Sequence, residues 1–290
     1  MTPDVRADAE RLAAIALAED GPRDLTSDVT VAPGAPGRGV LLFKSDGVLA
    51  GTLYADAVAR ACGCGIEWRA REGDRVARGA AVGSVTGPLA PLLRAERPLL
   101  NLLQRASGIA SATRAYVAAV AGTGTGILHT RKTAPGLRLL DVAAVIAGGG
   151  APHRLDLAHT VMVKDNHWQA LAARGLALAE ALRDARARGA AGLQVEVESE
   201  AQLRTACAAG ATRLLIDNQA PDTVRDWARL ARTLAPGIEI EATGGITLDN
   251  VRRYAEAGAD WISIGALTHS VRAADISLEL SAPPGASAAV

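Results

Sequence analysis

The sequence predicts an α/β protein in which an N-terminal α+β lobe precedes a β/α barrel, and three observations carry that reading. Short apolar runs alternate with amphipathic helical stretches through the second half of the chain. Two of those helical stretches stop at glycine, Gly210 and Gly258, as expected where a left-handed residue ends a helix. The first part instead strings short strands together with glycine and aspartate turns.

Taken in order, a helix is expected over about residues 4–19. Strands follow at 40–43, 48–51, 66–71 and 81–86, with a helix at 54–61 among them. An alanine-rich helix at 95–121 bridges to the second part, where 126–128 and 160–163 read as strands with helices after each. The alternation then runs through strand 193–197, helix 200–209, strand 214–216 and helix 221–234. It closes with strand 238–242, helix 248–257 and strand 261–264. At least six strand–helix units at this spacing favour a barrel, and periodicity leaves an open doubly wound sheet as the alternative. The Pro-Gly-Ala-Ser-rich residues 281–290 read as a frayed tail.

Composition narrows the function classes. Lysine plus arginine equals aspartate plus glutamate, 31 each, so the basic excess of a nucleic-acid-coating protein is missing. Aromatic residues make up 3% of the chain, too few for a base-stacking surface. Asp4, Asp8, Glu10 and Asp20 stand where a basic leader would, and arginine or glycine breaks each alanine-rich run. Neither a secretory signal nor a membrane span is expected, and the cytoplasm is the expected compartment. Cys62, Cys64 and Cys207 match no zinc spacing and read as reduced thiols.

Function in a β/α barrel sits at the C-terminal ends of the strands. Those positions hold His129-Thr130-Arg131-Lys132-Thr133, Lys164-Asp165-Asn166-His167, Glu196 with Glu198, Asp217-Asn218, Thr243-Gly244-Gly245 and Gly265-Ala266. The stretch before Lys164 adds Gly148-Gly149-Gly150 and His153-Arg154. Each piece alone has a plain structural reading: a solvated basic loop, carboxylates paired with arginine, a glycine turn, a core histidine. Together they divide into sets. Arg131, Lys132, His153, Arg154 and Lys164 form a cationic wall suited to a small polyanion. Glu196 and Asp217 are carboxylates able to hold Mg2+ on a pyrophosphate. The glycine loops offer backbone N–H groups to a phosphate. A dianionic acid, a pyrophosphate and a phosphate together describe phosphoribosyl transfer.

In this order the motifs resemble the quinolinate phosphoribosyltransferase family. The resemblance runs from Asp24-Leu25-Thr26-Ser27-Asp28 almost to Leu280. It takes in Asp46-Gly47-Val48-Leu49-Ala50-Gly51, Glu96-Arg97, Asn101-Leu102-Leu103-Gln104-Arg105, Ser107-Gly108-Ile109-Ala110 and Gly265-Ala266-Leu267-Thr268-His269-Ser270. It implies an α/β-sandwich lobe, residues 1–112, followed by an incomplete, seven-stranded β/α barrel, residues 113–270, with 271–290 packing back on the lobe. The implied reaction moves phosphoribose from phosphoribosyl pyrophosphate to quinolinate with decarboxylation, giving nicotinate mononucleotide, with Mg2+ as cofactor. A homodimer with shared active sites is also implied, Arg97 reaching the site of the partner subunit. By the same resemblance Arg131, Lys132, His153, Arg154 and Lys164 bind the quinolinate carboxylates. Lys132, Glu196 and Asp217 are catalytic, the last two also handling the magnesium pyrophosphate. Thr243, Gly244, Gly245 and Gly265 seat the 5-phosphate, with His269 nearby.

Three residues depart from the family pattern. His129 stands where Asp usually precedes Thr-Arg-Lys, Pro152 where Asn commonly precedes His-Arg, and Asp156 where Gly is usual. Pro-His-Arg is similar to a paralogue associated with molybdenum transport, which typically lacks the Lys-Asp-Asn-His segment present here. Two alternatives therefore stay open, the same donor with another pyridine or related acid and a catalytically silent binding homologue. His129 is expected to add positive potential beside the wall or to lose a partner for Arg131.

Overall fold

The computed structural model describes residues 4–280; the expected tail, 281–290, lies outside them. In chain order the elements begin with α1 (Val5–Glu19), α2 (Leu25–Thr30), β1 (Pro36–Phe43), β2 (Gly47–Val48) and α3 (Thr52–Ala61). Next come β3 (Gly65–Trp68), β4 (Arg75–Val76), β5 (Ala81–Pro88), α4 (Leu89–Ala119), β6 (Gly126–Leu128) and α5 (Arg138–Ala147). The chain continues through β7 (Thr160–Val163), α6 (Asp165–Arg174), α7 (Leu178–Ala187), β8 (Gly192–Val197), α8 (Glu200–Ala208) and β9 (Arg213–Asp217). It finishes with α9 (Pro221–Leu234), β10 (Glu239–Thr243), α10 (Val251–Glu256), β11 (Trp261–Ser263), α11 (Ala266–His269) and β12 (Ile276–Leu280). Two compact units result. The first takes the described residues of Met1–Arg114, Thr133–Gly149 and Leu267–Val290, and the second takes Ala115–Lys132 and Gly150–Ala266.

In the first unit Asp4 and Asp24 cap α1 and α2, each side chain accepting from two backbone amides at the helix start, which satisfies donors that have no partner within the helix. The sheet is antiparallel in the order β12-β1-β5-β3. Leu41 and Phe43 of β1 are fully buried, as are Leu92, Leu99, Leu103 and Ile109 of α4, so the sheet and the long helix both feed one apolar core. Asp141 of α5 is also fully buried. It is tolerated there because Arg105 meets it with two bonds of 2.8 Å, the fork geometry that best offsets desolvation.

The second unit is built on a parallel sheet in the order β6-β11-β10-β9-β8-β7. The order falls steadily from β11 to β7, and the earliest strand, β6, pairs with the last, β11. A doubly wound sheet would reverse at a switch point, so that alternative is excluded. This is the order of a β/α barrel opened at one seam. Six strands are present where the family resemblance implies seven. The missing one is reduced to a single parallel bridge, Ala151 to Leu128. Pro152 follows and has no N–H to give the ladder, while Gly148 to Gly150 precede, so pairing cannot spread in either direction. Gly126 is required by packing, because a Cβ there would lie 2.4 Å from the Trp261 ring. Among the described residues no helix is long and apolar enough to cross a membrane.

Candidate active site

Pairing register decides which side chains share a face of a sheet. β8 and β9 align Gln194 with Arg213 and Glu196 with Leu215. β9 and β10 align Arg213 with Glu239, Leu215 with Glu241 and Asp217 with Thr243, and β11 sets Trp261 beside Glu241. Two-residue alternation therefore collects Gln194, Glu196, Arg213, Asp217, Glu239, Glu241, Thr243, Trp261 and Ser263 on one face. Val195, Val197, Leu214, Ile216, Ile240 and Ala242 take the other face, and all are fully buried. A polar face this dense has a chemical use, since unpaired polar groups in such a place are costly.

At the C-terminal ends of the strands, Lys164 pairs through Nζ with Oε2 of Glu196, and Glu196 is buried. Trp168 donates from Nε1 to the Glu196 carbonyl at 3.0 Å, tying the first turn of α6 to the end of β8. Glu198, two residues after Glu196, falls beyond the strand end and is exposed. Asp217 accepts from Nδ2 of Asn218 at 2.6 Å. Burial pushes the Asp217 carboxyl above its ordinary value, Asn218, Lys164 and Lys132 pull it back, and Glu198 adds repulsion. Asp217 thus lies within the field of both site lysines.

Beyond β10, Gly244 and Gly245 are both left-handed, with φ +84° and +62°. A Cβ on Gly244 would come within 2.2 Å of Asn218 Oδ1, so the loops after β9 and β10 touch only because that residue is glycine. Asn250 closes the loop, accepting from the Thr247 amide at 2.8 Å and donating to the Gly245 carbonyl at 3.3 Å. Among the described residues no protein acceptor meets the amides of Gly244 and Gly245, the arrangement a phosphate oxygen requires. Gly265 follows β11 at the same end of the sheet.

The cations come from the ends of β6 and the irregular stretch after Ala151. Arg131 has its Nε buried with no hydrogen-bond partner among the described residues, a costly state that an anion would relieve. Burial lowers the Arg154 guanidinium from its ordinary value, the like charge of Arg131 lowers it further, and Glu241 and Glu196 oppose both. Lys132 is exposed, its amide held by Thr130 Oγ1 at 3.1 Å. The His153 ring is 6% exposed and its Nε2 lies 3.2 Å from Oε2 of Glu241.

His129 is fully buried, and its Nε2 accepts from the His153 amide at 2.9 Å. Its proton must then sit on Nδ1, which meets the Thr130 carbonyl at 3.2 Å. The ring is neutral, so His129 adds no positive potential; what it supplies is an acceptor for the His153 backbone. Asp156 stays in an exposed local turn, accepting from the Ala158 amide at 2.9 Å and pairing with His159. Arg97 and His269 belong to the first unit and are exposed, His269 meeting Ser270 Oγ through Nδ1 at 2.7 Å.

Sequence reasoning missed Glu241, Arg213 and Trp168. Glu241 is fully buried and accepts from Arg213 Nη1 at 3.1 Å as well as from His153. Burial would raise its carboxyl, but His153, the Ser263 hydroxyl and Arg213 together hold it below its ordinary value. Oε1 of Glu241 has no hydrogen-bond partner among the described residues. The available signal was parity: Glu239 and Glu241 stand two apart in an otherwise apolar strand. The described residues hold no group of three or more His, Cys, Asp or Glu side chains able to bind a metal. Glu196 and Asp217 are two carboxylates near neighbouring strand ends. That donor set suits an ion that brings most of its ligands along, as Mg2+ does on a pyrophosphate.

Comparison with known proteins bears on what this arrangement serves. Residues 109–279 match the family model for the quinolinate phosphoribosyl transferase C-terminal domain, and 24–107 match that for its N-terminal domain. The chain is 42% identical to the carboxylating nicotinate-nucleotide pyrophosphorylase of Homo sapiens, covering 92% of this chain and 89% of that protein. The enzyme of the same name from Mycobacterium leprae (strain TN) is 38% identical over 89% of this chain and 91% of its own. Among solved structures, the nicotinate-nucleotide pyrophosphorylase from Francisella tularensis has a TM-score of 0.88 at 29% identity, covering 97% of this chain and 98% of that one.

The raised Asp217 carboxyl has a consequence for stability. A group whose folded value lies above its unfolded one holds its proton more tightly when folded, so ionising it costs stability as pH rises. The penalty is absent below the ordinary value of 3.8 and complete above the raised one. Asp217→Asn should therefore melt above wild type at neutral pH, and the gap should close as the pH is lowered toward 3.8. Scanning calorimetry at both pH values checks this; a variant less stable than wild type at neutral pH contradicts it.

Proposed function

The chain belongs to the quinolinate phosphoribosyltransferase family, and on that premise we infer that it transfers phosphoribose from phosphoribosyl pyrophosphate to quinolinate, releasing pyrophosphate and CO2 and forming nicotinate mononucleotide. One observation carries the reading: Arg131 and Arg154 lie within each other's field, with a buried donor unsatisfied, in the same unit as Glu196 and Asp217.

Quinolinate is a pyridine with two adjacent carboxylates, so it calls for several cations in fixed places. Arg131 and Arg154 offer planar donor forks, and Lys132 and Lys164 complete the wall. Lys164 is paired with Glu196, which offsets the burial of that carboxylate. Thr243, the amides of Gly244 and Gly245, and Gly265 receive the 5-phosphate. Departure of pyrophosphate leaves positive charge at ribose C1, which Glu196 and Asp217 stabilise. Glu196 and Asp217 would hold Mg2+, which would supply charge neutralisation to the leaving pyrophosphate. The pyridine nitrogen gives its lone pair to C1 and becomes a pyridinium. The adjacent carboxylate then leaves as CO2, its bonding pair remaining on the ring carbon beside N+ until a solvent proton takes it. The cationic wall holds the ring still through both steps.

The same reading makes the protein a cytoplasmic homodimer whose sites are shared, Arg97 coming from the partner subunit. An exposed Arg97 in the first unit and three free cysteines support it.

Lys132 and Glu196 should fail in different ways. Lys132→Ala should weaken quinolinate binding by one to several decades, since losing a charge-assisted contact costs about 2–5 kcal/mol, and should spare donor binding. Glu196→Gln should lower kcat more than it changes quinolinate affinity, because the charge it answers appears mainly in the transition state. Titrations and steady-state kinetics decide; normal quinolinate binding by the first variant or wild-type turnover by the second refutes the division of roles.

Sharing of sites has its own test. Mixing Arg97→Ala and Lys132→Ala chains should restore some activity, because one site of the mixed dimer is intact. Mixed dimers that form and stay inactive count against it.

A further inference from the structure

Residue 153 is held at two points by groups the reaction itself does not use. His129 takes its backbone amide at 2.9 Å, and Glu241 faces its ring Nε2 at 3.2 Å. Between the bridge at Ala151 and the start of β7 at Thr160 the chain forms no helix or strand. Arg154 therefore sits on irregular backbone, pushed by the like charge of Arg131. Something must hold that segment in place before an anion is bound.

Glu241 is suited to the task and has little other reason to be there. Stability alone would be served as well by an apolar side chain of similar volume, because a buried ion pair seldom repays its desolvation. The carboxylate is instead fixed from below. Arg213 donates to it from Nη1 at 3.1 Å and to Glu239 from Nε at 2.9 Å, with its guanidinium 5.3 Å from the centre of the Trp261 ring. Trp261 in turn donates to Glu239 at 3.0 Å. Arg213, Glu239 and Trp261 are the first residues of β9, β10 and β11. The chain of contacts thus rises from the N-terminal edge of the sheet, through Glu241, to His153.

We propose that Glu241 is a positioning residue for the acceptor: it fixes the His153 imidazole as an Nε2–H donor and, through that anchor, keeps Arg154 in place beside Arg131 for a carboxylate of the incoming acid. The proposal rests on the functional reading above for the identity of that acid. Glu241 touches no reacting atom in this scheme. Its ionised state, favoured by Arg213 and the ring, makes it an acceptor and never a competing donor.

The test uses full-length wild type, Glu241→Leu, His153→Asn and the double variant. Quinolinate and phosphoribosyl pyrophosphate are titrated separately by calorimetry, and the imidazole nitrogens are followed by 15N NMR. Glu241→Leu should weaken quinolinate roughly ten- to a hundredfold, the usual cost of a misplaced contact, while donor affinity stays within about twofold. The double variant should bind quinolinate no worse than His153→Asn alone, since two residues acting through one contact do not add. Wild type should show a slowly exchanging Nε2–H resonance, missing in His153→Asn and lost in Glu241→Leu. Glu241→Gln keeps the shape and one acceptor, and should show a smaller loss of the same kind if the leucine variant does not fold. Unchanged quinolinate affinity, additive losses or an undisturbed resonance overturns the proposal. Wild type that ignores quinolinate would defeat the functional reading instead, and the resonance alone would then decide the clamp.

Discussion

In-register parallel pairing of β8, β9 and β10 is the constraint from which the site follows. It places Glu196, Asp217, Glu241 and Thr243 on one face and gives the other to fully buried aliphatic side chains. A slip of one residue would drive the carboxylates into the apolar layer and turn Ile216 and Ala242 onto the polar face. Neither side could accept that exchange, so core packing and site geometry enforce the same register. The charged face is affordable because each buried acid on it has a cation at hand: Lys164 for Glu196, Arg213 for Glu241.

The site nevertheless holds like charges within each other's reach. Arg131 lowers the hold of Arg154 on its proton, and burial raises the Asp217 carboxyl. A fold optimised for stability alone would neutralise them. Under the proposed function, cations and carboxylates in one unit let the site bind an anion and also stabilise a developing cation.

How much of this was legible in the sequence depended on whether the cue was local. Lys164, Glu196 and Asp217 were legible because each follows or ends an apolar run bounded by a helix start. The barrel was legible from alternation, although α4 begins at Leu89 rather than near residue 95, because Pro91 and Pro98 obscured its first turns. The short helix α2 was read only as a motif, since six residues show too little periodicity to stand out. The seventh strand implied by the family resemblance falls to one bridge, because Pro152 has no N–H to extend the pairing. Glu241 went unnoticed inside a strand read as apolar, though its spacing from Glu239 was there to see. The role of His129 could not be read at all: whether its ring is charged depends on the His153 amide, 24 residues away in the chain. Tautomers are set by tertiary contacts.

The central claim is that these charges carry out phosphoribosyl transfer coupled to decarboxylation, and product stoichiometry tests it most directly. Purified protein is incubated with phosphoribosyl pyrophosphate, Mg2+ and quinolinate carrying 13C in the carboxylate next to the ring nitrogen. The account predicts one labelled CO2 and one pyrophosphate for each nicotinate mononucleotide formed, and no turnover when excess chelator removes the metal. Pyrophosphate release without labelled CO2, or turnover of a different acid while quinolinate is left untouched, would contradict it.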